Sequence, residues 1–430
     1  MVDITAITID DNAERLWGWY LDEPRDATRH DIFAIQFSGW VVGRGVRVSK
    51  VAVFDGDRLL AEIPVQLHRP DIPQAFPHFP AGDLWGFSAP VGILGLPTTF
   101  ALVLQAICDN GSRFRLAAIN GTREPLRTAF EPRLQPLMLT SLGRSGSTWV
   151  TSLLGTHPQV VGYRPFEFEP RVAYYWMQVL SVLSNPSSYM QGLVTDLAND
   201  RWWLGEQPTH LSLASLDEPV RASLGRDNVV AAATFCQSRI DAFYATQAGV
   251  LPQPQPGYFM EKYLPSALAR HYLRELYPGT KEIFLIRDFR DMVCSMLAYN
   301  NKTGAAGFGY KKAANDADFV RRRAYQALDH WHCWKRFEAQ SYLLRYEDLI
   351  LRPLETIPAV LRYLDVDASA ETTARMLQQA SAHHQAGQDY HRTSRDTAAS
   401  IGRWRTDLDA ELQALCADAF GETLPELCYT

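Results

Sequence analysis

The chain has 430 residues, 47% of them hydrophobic, which exceeds a typical single domain and predicts two. A net charge of −6 leaves no basic footprint and argues against DNA or RNA as the main partner. The six cysteines, at 108, 236, 294, 333, 416 and 428, have neither Cys-x-x-Cys pairing nor metal-ligand spacing, so they read as reduced, mostly buried thiols.

The N-terminus has no basic region followed by an apolar core, and nowhere do 18 apolar residues run together. A cytoplasmic chain with no membrane span is therefore expected. From 1 to about 130, short apolar runs at 31–37, 46–54, 59–65 and 114–119 are punctuated by glycine and proline, and Asp55-Gly56-Asp57 is a hairpin signal. This texture predicts an all-β sandwich. Its aromatics, among them Trp40, Trp85 and Phe87, read either as a sugar-stacking platform or as core packing, the commoner use of aromatics in a sandwich. Pro132 and Pro136 stop any helix and mark a boundary, giving an accessory domain over 1–133 and a catalytic domain over 134–430.

Beyond the boundary, strands near 137–141, 258–262, 283–287 and 342–346 alternate with helical runs. That is the pattern of an α/β domain with a parallel sheet flanked by helices, which places ligands at the carboxyl ends of the strands. The first strand runs into Gly143-Arg144-Ser145-Gly146-Ser147-Thr148-Trp149 at a helix start. Small residues there let backbone N–H groups converge on an anion that also faces the helix dipole. A nucleotide-binding P-loop would carry lysine directly after Gly146, where Ser147 stands, whereas the cation here is Arg144. Such a loop alone is equally a tight connection.

The segment 170–255 reads as a helix-rich insertion in which Tyr174, Tyr175, Trp176, Trp202 and Trp203 either line an acceptor pocket or pack inward. The strand 281–286 delivers Arg287-Asp288-Phe289-Arg290-Asp291, with Ser295 two turns into the next helix. Arg287 and Ser295 suit a second phosphate; an isolated Arg-Asp cluster would otherwise be a surface salt-bridge network. The glycine-bearing stretch 300–310 reads as a lid, and His330, His332, His383 and His384 show no zinc-ligand geometry.

Taken together, Gly143 to Trp149, Glu261-Lys262, Arg287 to Ser295, Tyr346-Glu347-Asp348-Leu349 and Gly402-Arg403-Trp404-Arg405 resemble, in order and over about residues 135–410, the motifs of sulfotransferases that use 3′-phosphoadenosine 5′-phosphosulfate (PAPS). The resemblance implies a P-loop-NTPase-like fold and in-line sulfuryl transfer to a hydroxyl, with 3′,5′-adenosine bisphosphate as product and no metal. It implies that Arg144, Ser145, Gly146, Ser147, Thr148 and Trp149 hold the phosphosulfate and that Arg287 and Ser295 hold the 3′-phosphate. Ser394, Ser400, Gly402, Arg403 and Trp404 would close on the cofactor, and the Tyr346 motif is assigned a structural role.

The same resemblance puts the base shortly after the first helix. Glu167 is the choice there and Glu169 the runner-up, with Arg144 and Lys262 as the transfer cations. Arg144 in place of lysine is similar to the bacterial and tyrosylprotein branches, Phe289 replaces the usual proline, and the last motif lacks Arg-Lys-Gly, for which Arg395, Ser400 and Arg403 would substitute. The sandwich weakly favours a carbohydrate or glycolipid acceptor over another small alcohol. Two rival classes remain at this stage: a P-loop kinase or NTPase, which needs the loop lysine and a metal-binding aspartate, and a non-catalytic nucleotide-binding module.

Overall fold

The computed structural model describes the chain apart from residues 31–32, 163–169, 185–216, 251–256, 265–266, 386–392, 394–397, 422 and 430. Two compact units form: Met1–Phe130 with Trp176–Ser238 and Leu268–Leu276, and Glu131–Tyr175 with Arg239–Ala267 and Tyr277–Thr430.

The first unit contains a sandwich of two antiparallel sheets. Its strands are Val2–Ile9 (β1), Leu16–Glu23 (β2), Arg29–His30 (β3), Ala34–Gly43 (β4), Val48–Asp55 (β5), Arg58–Pro64 (β6), Leu67–His68 (β7), Leu84–Gly92 (β8), Thr99–Cys108 (β9) and Arg113–Arg123 (β10). One sheet has the order β3-β1-β10-β9-β5-β6 and the other β2-β4-β8-β7. Along β9, Phe100, Leu102, Leu104, Ala106 and Cys108 are buried while the residues between them are not, the period of two that a one-sided strand requires. The expected hairpin joins β5 to β6, with Asp55 opposite Arg58 and Gly56 at φ +57°. Trp40 and Phe87 are core residues, so packing accounts for them; Trp85 is only half-buried.

The second unit is built on five parallel strands: Gln135–Ser141 (β11), Val160–Gly162 (β12), Tyr258–Tyr263 (β13), Lys281–Ile286 (β14) and Tyr342–Arg345 (β15), in the order β12-β13-β11-β14-β15. Four were legible in the sequence; β12, only three residues long, was not. Alternation along β14 sends Phe284 and Ile286 to one face and Ile283 and Leu285 to the other. The first face packs on the helices Phe289–Thr303, Asp316–Phe337 and Ala410–Phe420, the second on Ser147–Leu154, Pro353–Tyr363 and Ala370–Gln385. Burial on both faces is what makes these strands read as continuous apolar runs. The chain leaves β11 for the β12–β13 side and later returns to β14 on the other side, so the switch point of the sheet lies at the end of β11.

Part of the expected lid is helical instead. Asn300–Thr303 complete the helix from Phe289, because no breaker precedes Gly304, which caps it at φ +66°. Among the described residues, no helix is long and apolar enough to cross a membrane.

Candidate active site

The loop after β11 bends sharply twice. Arg144 has φ +65° and Gly146, the residue before the helix Ser147–Leu154, has φ +88°. A Cβ on Gly146 would lie 2.4 Å from the Tyr346 ring, so only glycine fits. Arginine in a left-handed conformation costs on the order of 1 kcal/mol, a strain that glycine would avoid and that points to a use for the side chain. The first amides of the helix have no intrahelical partner and bring the positive end of its dipole to the loop. Phe308, from the expected lid, comes within van der Waals range of Gly143.

Across the loop, three guanidiniums converge. Arg144 Nε donates to Ser295 Oγ at 3.0 Å and its Nη2 to Thr393 Oγ1 at 3.3 Å, with the group lying over the Tyr299 ring. Arg287, at the end of β14, donates to Arg144 O at 3.1 Å and Ser400 O at 2.5 Å and stacks on Tyr346. Arg403 reaches Thr393 O and Oγ1 at 3.0 and 3.2 Å. Burial, followed by repulsion from Arg287 and later Arg403, lowers Arg144 to about 10. Among the described residues, Arg287 Nε is buried with no hydrogen-bond partner. Arg403 also pairs with Asp407 at 2.6 Å, which leaves Arg144 and Arg287 as the cations whose repulsion and unmet donor fit an anionic group.

Asp291 holds this cluster together. Fully buried, it accepts from Gly402 N at 2.6 Å and Trp404 N at 2.9 Å, and burial pushes its carboxyl up. Gly402 has φ +73°, and the guanidiniums of Arg290 and Arg405 lie over the Trp404 ring. Asp288 caps the helix Phe289–Thr303 through Arg290 N and pairs with the Arg290 guanidinium, while its own N–H donates to Glu347. Phe289, in the place of proline, is buried against Phe420.

The other side of the loop faces β13. Lys262 Nζ donates to Thr148 Oγ1 at 3.1 Å, which places the cation beside the helix start, as its position at the strand end requires. Its neighbour Glu261 points to the opposite face, since adjacent strand residues alternate. There Glu261 accepts from Val172 N at 2.9 Å, Ala173 N at 3.2 Å and Tyr263 Oη at 2.8 Å, capping the helix Val172–Leu183.

Burial pushes Glu261 up to about 7 despite those donors. An unfolded glutamate ionises near 4.5, so between there and about 7 the unfolded chain gives up a proton that the folded chain keeps. This group's contribution therefore lowers stability as pH rises through that window. Glu261→Gln removes the titration, and its Tm relative to the parent is expected to climb between about pH 5 and about pH 8 in thermal melts. A difference that stays flat with pH would rule this out.

Of the expected site residues, Arg144, Ser295, Arg287, Ser400 and Arg403 share one hydrogen-bonded cluster. Thr148 meets Lys262; Ser145 is buried against Met292, and Trp149 packs on the sheet core. Ser147, Gly402 and Trp404 lie at the helix start and in the last motif. Glu167, Glu169, Ser394, Arg395, Trp202 and Trp203 lie outside the described residues. Tyr174 meets Tyr263 edge-on, Trp176 meets Phe235 edge-on, and Tyr175 is exposed.

Sequence reading missed Tyr299, chose Ser394 over its neighbour Thr393 in the segment expected to close on the cofactor, gave Asp291 no individual role, and gave Tyr346 only a structural one although it touches the cluster through Gly146, Arg287 and Ser400. Among the described residues, no group of three His, Cys, Asp or Glu side chains is arranged to hold a metal ion.

Comparison with the curated proteins gives no match. Similar solved structures include the sulfotransferase domain from the curacin biosynthetic pathway, at 16% identity over 69% of this chain and 98% of that one, with a TM-score of 0.37. Mouse sulfotransferase SULT7A1, complexed with PAP, is 11% identical over 69% and 87%, with a TM-score of 0.37. Sulfotransferase STF9 from Mycobacterium avium is 16% identical over 70% and 78%, with a TM-score of 0.34. The family model of the sulfotransferases matches residues 136–371, more than half of the 430-residue chain, and spans the loop, Lys262, Arg287 and Ser295. The chain belongs to the sulfotransferase family.

Proposed function

We propose that the protein transfers a sulfuryl group from PAPS to a hydroxyl of a carbohydrate, glycolipid or small-molecule acceptor, in the cytoplasm. The observation that carries the donor assignment is the cluster in which Arg144 donates to Ser295 and Thr393, Arg403 donates to Thr393, and Arg287 joins Arg144 O to Ser400 O, one loop away from the helix start at Ser147. When bound, PAPS supplies the sulfuryl group to be transferred.

Arg287 and Ser295, with Arg144 and Arg403, would hold the 3′-phosphate. The main chain from Arg144 to Thr148 would hold the phosphosulfate. Arg144 thus serves both positions, by its backbone at one and its guanidinium at the other. Lys262 supplies fixed positive charge at Thr148, aimed before charge develops. Glu167, at the position that the family resemblance gives to the base, takes the acceptor proton. In this reading residues 1–133 are an accessory domain and catalysis lies within 134–430, although Trp176–Ser238 and Leu268–Leu276 belong to the same compact unit as residues 1–130.

Incubation with labelled PAPS and a panel of hydroxyl acceptors tests the reading. Labelled sulfate is expected on a sugar or small alcohol, at a rate that Lys262→Ala lowers about 100-fold. Nucleotide binding without transfer to any acceptor would instead make the chain a binding module.

A further inference from the structure

The sandwich carries an open cleft of about 450 Å³ that the catalytic reading does not use. Trp17, Trp85, Arg47, Asp83 and the glycine-bearing turn at Gly43 and Gly45 line it. Trp17 is 40% exposed, yet it is not loose. Its ring lies 6.3 Å from Phe79, itself packed against Trp85, and the Arg44 guanidinium sits 4.6 Å above it. An indole held by these neighbours and half in solvent offers a flat apolar face to a ligand.

The polar groups narrow the ligand. Arg47 makes one long hydrogen bond, 3.4 Å, to Val65 O, and Arg44 rests on Trp17; among the described residues neither forms an ion pair. The acid in the cleft, Asp83, already accepts from His68 at 3.1 Å. Arg47 in the lining and Arg44 beside it outnumber that one carboxylate, so the charge there is net positive, set beside the Trp17 and Trp85 rings in a shallow groove. Pyranose rings present C–H faces that pack on indoles, while their substituents stay hydrated.

We propose that this cleft binds an acidic oligosaccharide, a pyranose chain bearing sulfate or carboxylate groups, with Trp17 and Trp85 receiving the sugar faces and Arg44 and Arg47 the anions. Planar guanidiniums fit both groups through paired N–H donors. Binding here is separate from the donor site and does not depend on transfer. It would hold an acidic glycan on the protein whether or not that glycan is the acceptor.

Tryptophan fluorescence of the full chain, titrated with a chondroitin sulfate hexasaccharide and with neutral chitohexaose, tests the proposal. The sulfated chain is expected to bind more tightly, with an affinity that falls as salt is added. Trp17→Ala should weaken it roughly tenfold, and Arg47→Ala, on an exposed turn, should weaken it severalfold. Both variants should melt at the parent's Tm, which shows that the sandwich is folded, and should keep the parent's affinity for 3′,5′-adenosine bisphosphate, which shows that the donor site is untouched. No binding, equal binding of the two sugars, or binding untouched by both variants would overturn the proposal. So would a dimer that Trp17→Ala converts to monomer, since a second copy of the chain would then be the occupant.

Discussion

Arg287→Ala is expected to weaken binding of 3′,5′-adenosine bisphosphate by about 100-fold or more, as two charge-assisted hydrogen bonds at roughly 1.5–3 kcal/mol each would require. The residue is 5% exposed, and its guanidinium ties Arg144 O to Ser400 O while stacking on Tyr346. It therefore joins the loop to the last motif as well as presenting charge. Arg287→Lys separates the two functions: it keeps the charge but has no fork to span both carbonyls, and should recover only part of the affinity. Calorimetric titration of both variants reads the effect, and a Tm for each shows whether the fold survived. Unchanged affinity in a folded alanine variant would remove Arg287 from the donor site.

Glu167→Gln is expected to lower kcat by about 1000-fold while leaving nucleotide affinity intact, because an amide cannot take a proton from the attacking hydroxyl. Glu169→Gln should stay near the parent rate. Steady-state rates for the pair, with donor binding measured alongside, distinguish the carboxylates. The reverse pattern would make Glu169 the base, and loss of donor binding in Glu167→Gln would mark a structural role. The chain around the two residues contains Arg164 and Arg171, so a salt-bridge role is the specific alternative under test.

Much of the catalytic unit was legible because its signals are local. The apolar run before Gly143, the small-residue turn and the Arg287–Ser295 spacing each sit within about a dozen residues, and parallel strands buried on both faces read as unbroken apolar segments. The remaining contacts of the cluster join distant residues. Asp291 meets Gly402 and Trp404 across more than a hundred positions, and Arg144 meets Thr393 across 249. No periodicity encodes a hydrogen bond of that span.

The same limit explains Tyr346. Its position after β15 suggested only a turn into a helix, whereas its ring closes on Gly146 and supports Arg287. In the sandwich, aromatics were visible as a class, but not which of them would be buried. Trp40 and Phe87 went to the core, and Trp17, not singled out in the sequence, kept an exposed face.

The central claim is that the Arg144–Arg287–Arg403 cluster recognises a 3′-phosphate. Calorimetric titration of the unmodified protein with 3′,5′-adenosine bisphosphate, ADP and magnesium–ATP tests it most directly. The account predicts binding of the bisphosphate at least about 100-fold tighter than ADP, as charge-assisted contacts to a 3′-phosphate that ADP lacks allow. Equal affinities, or a preference for magnesium–ATP, would contradict it and place the loop with nucleotide triphosphate chemistry.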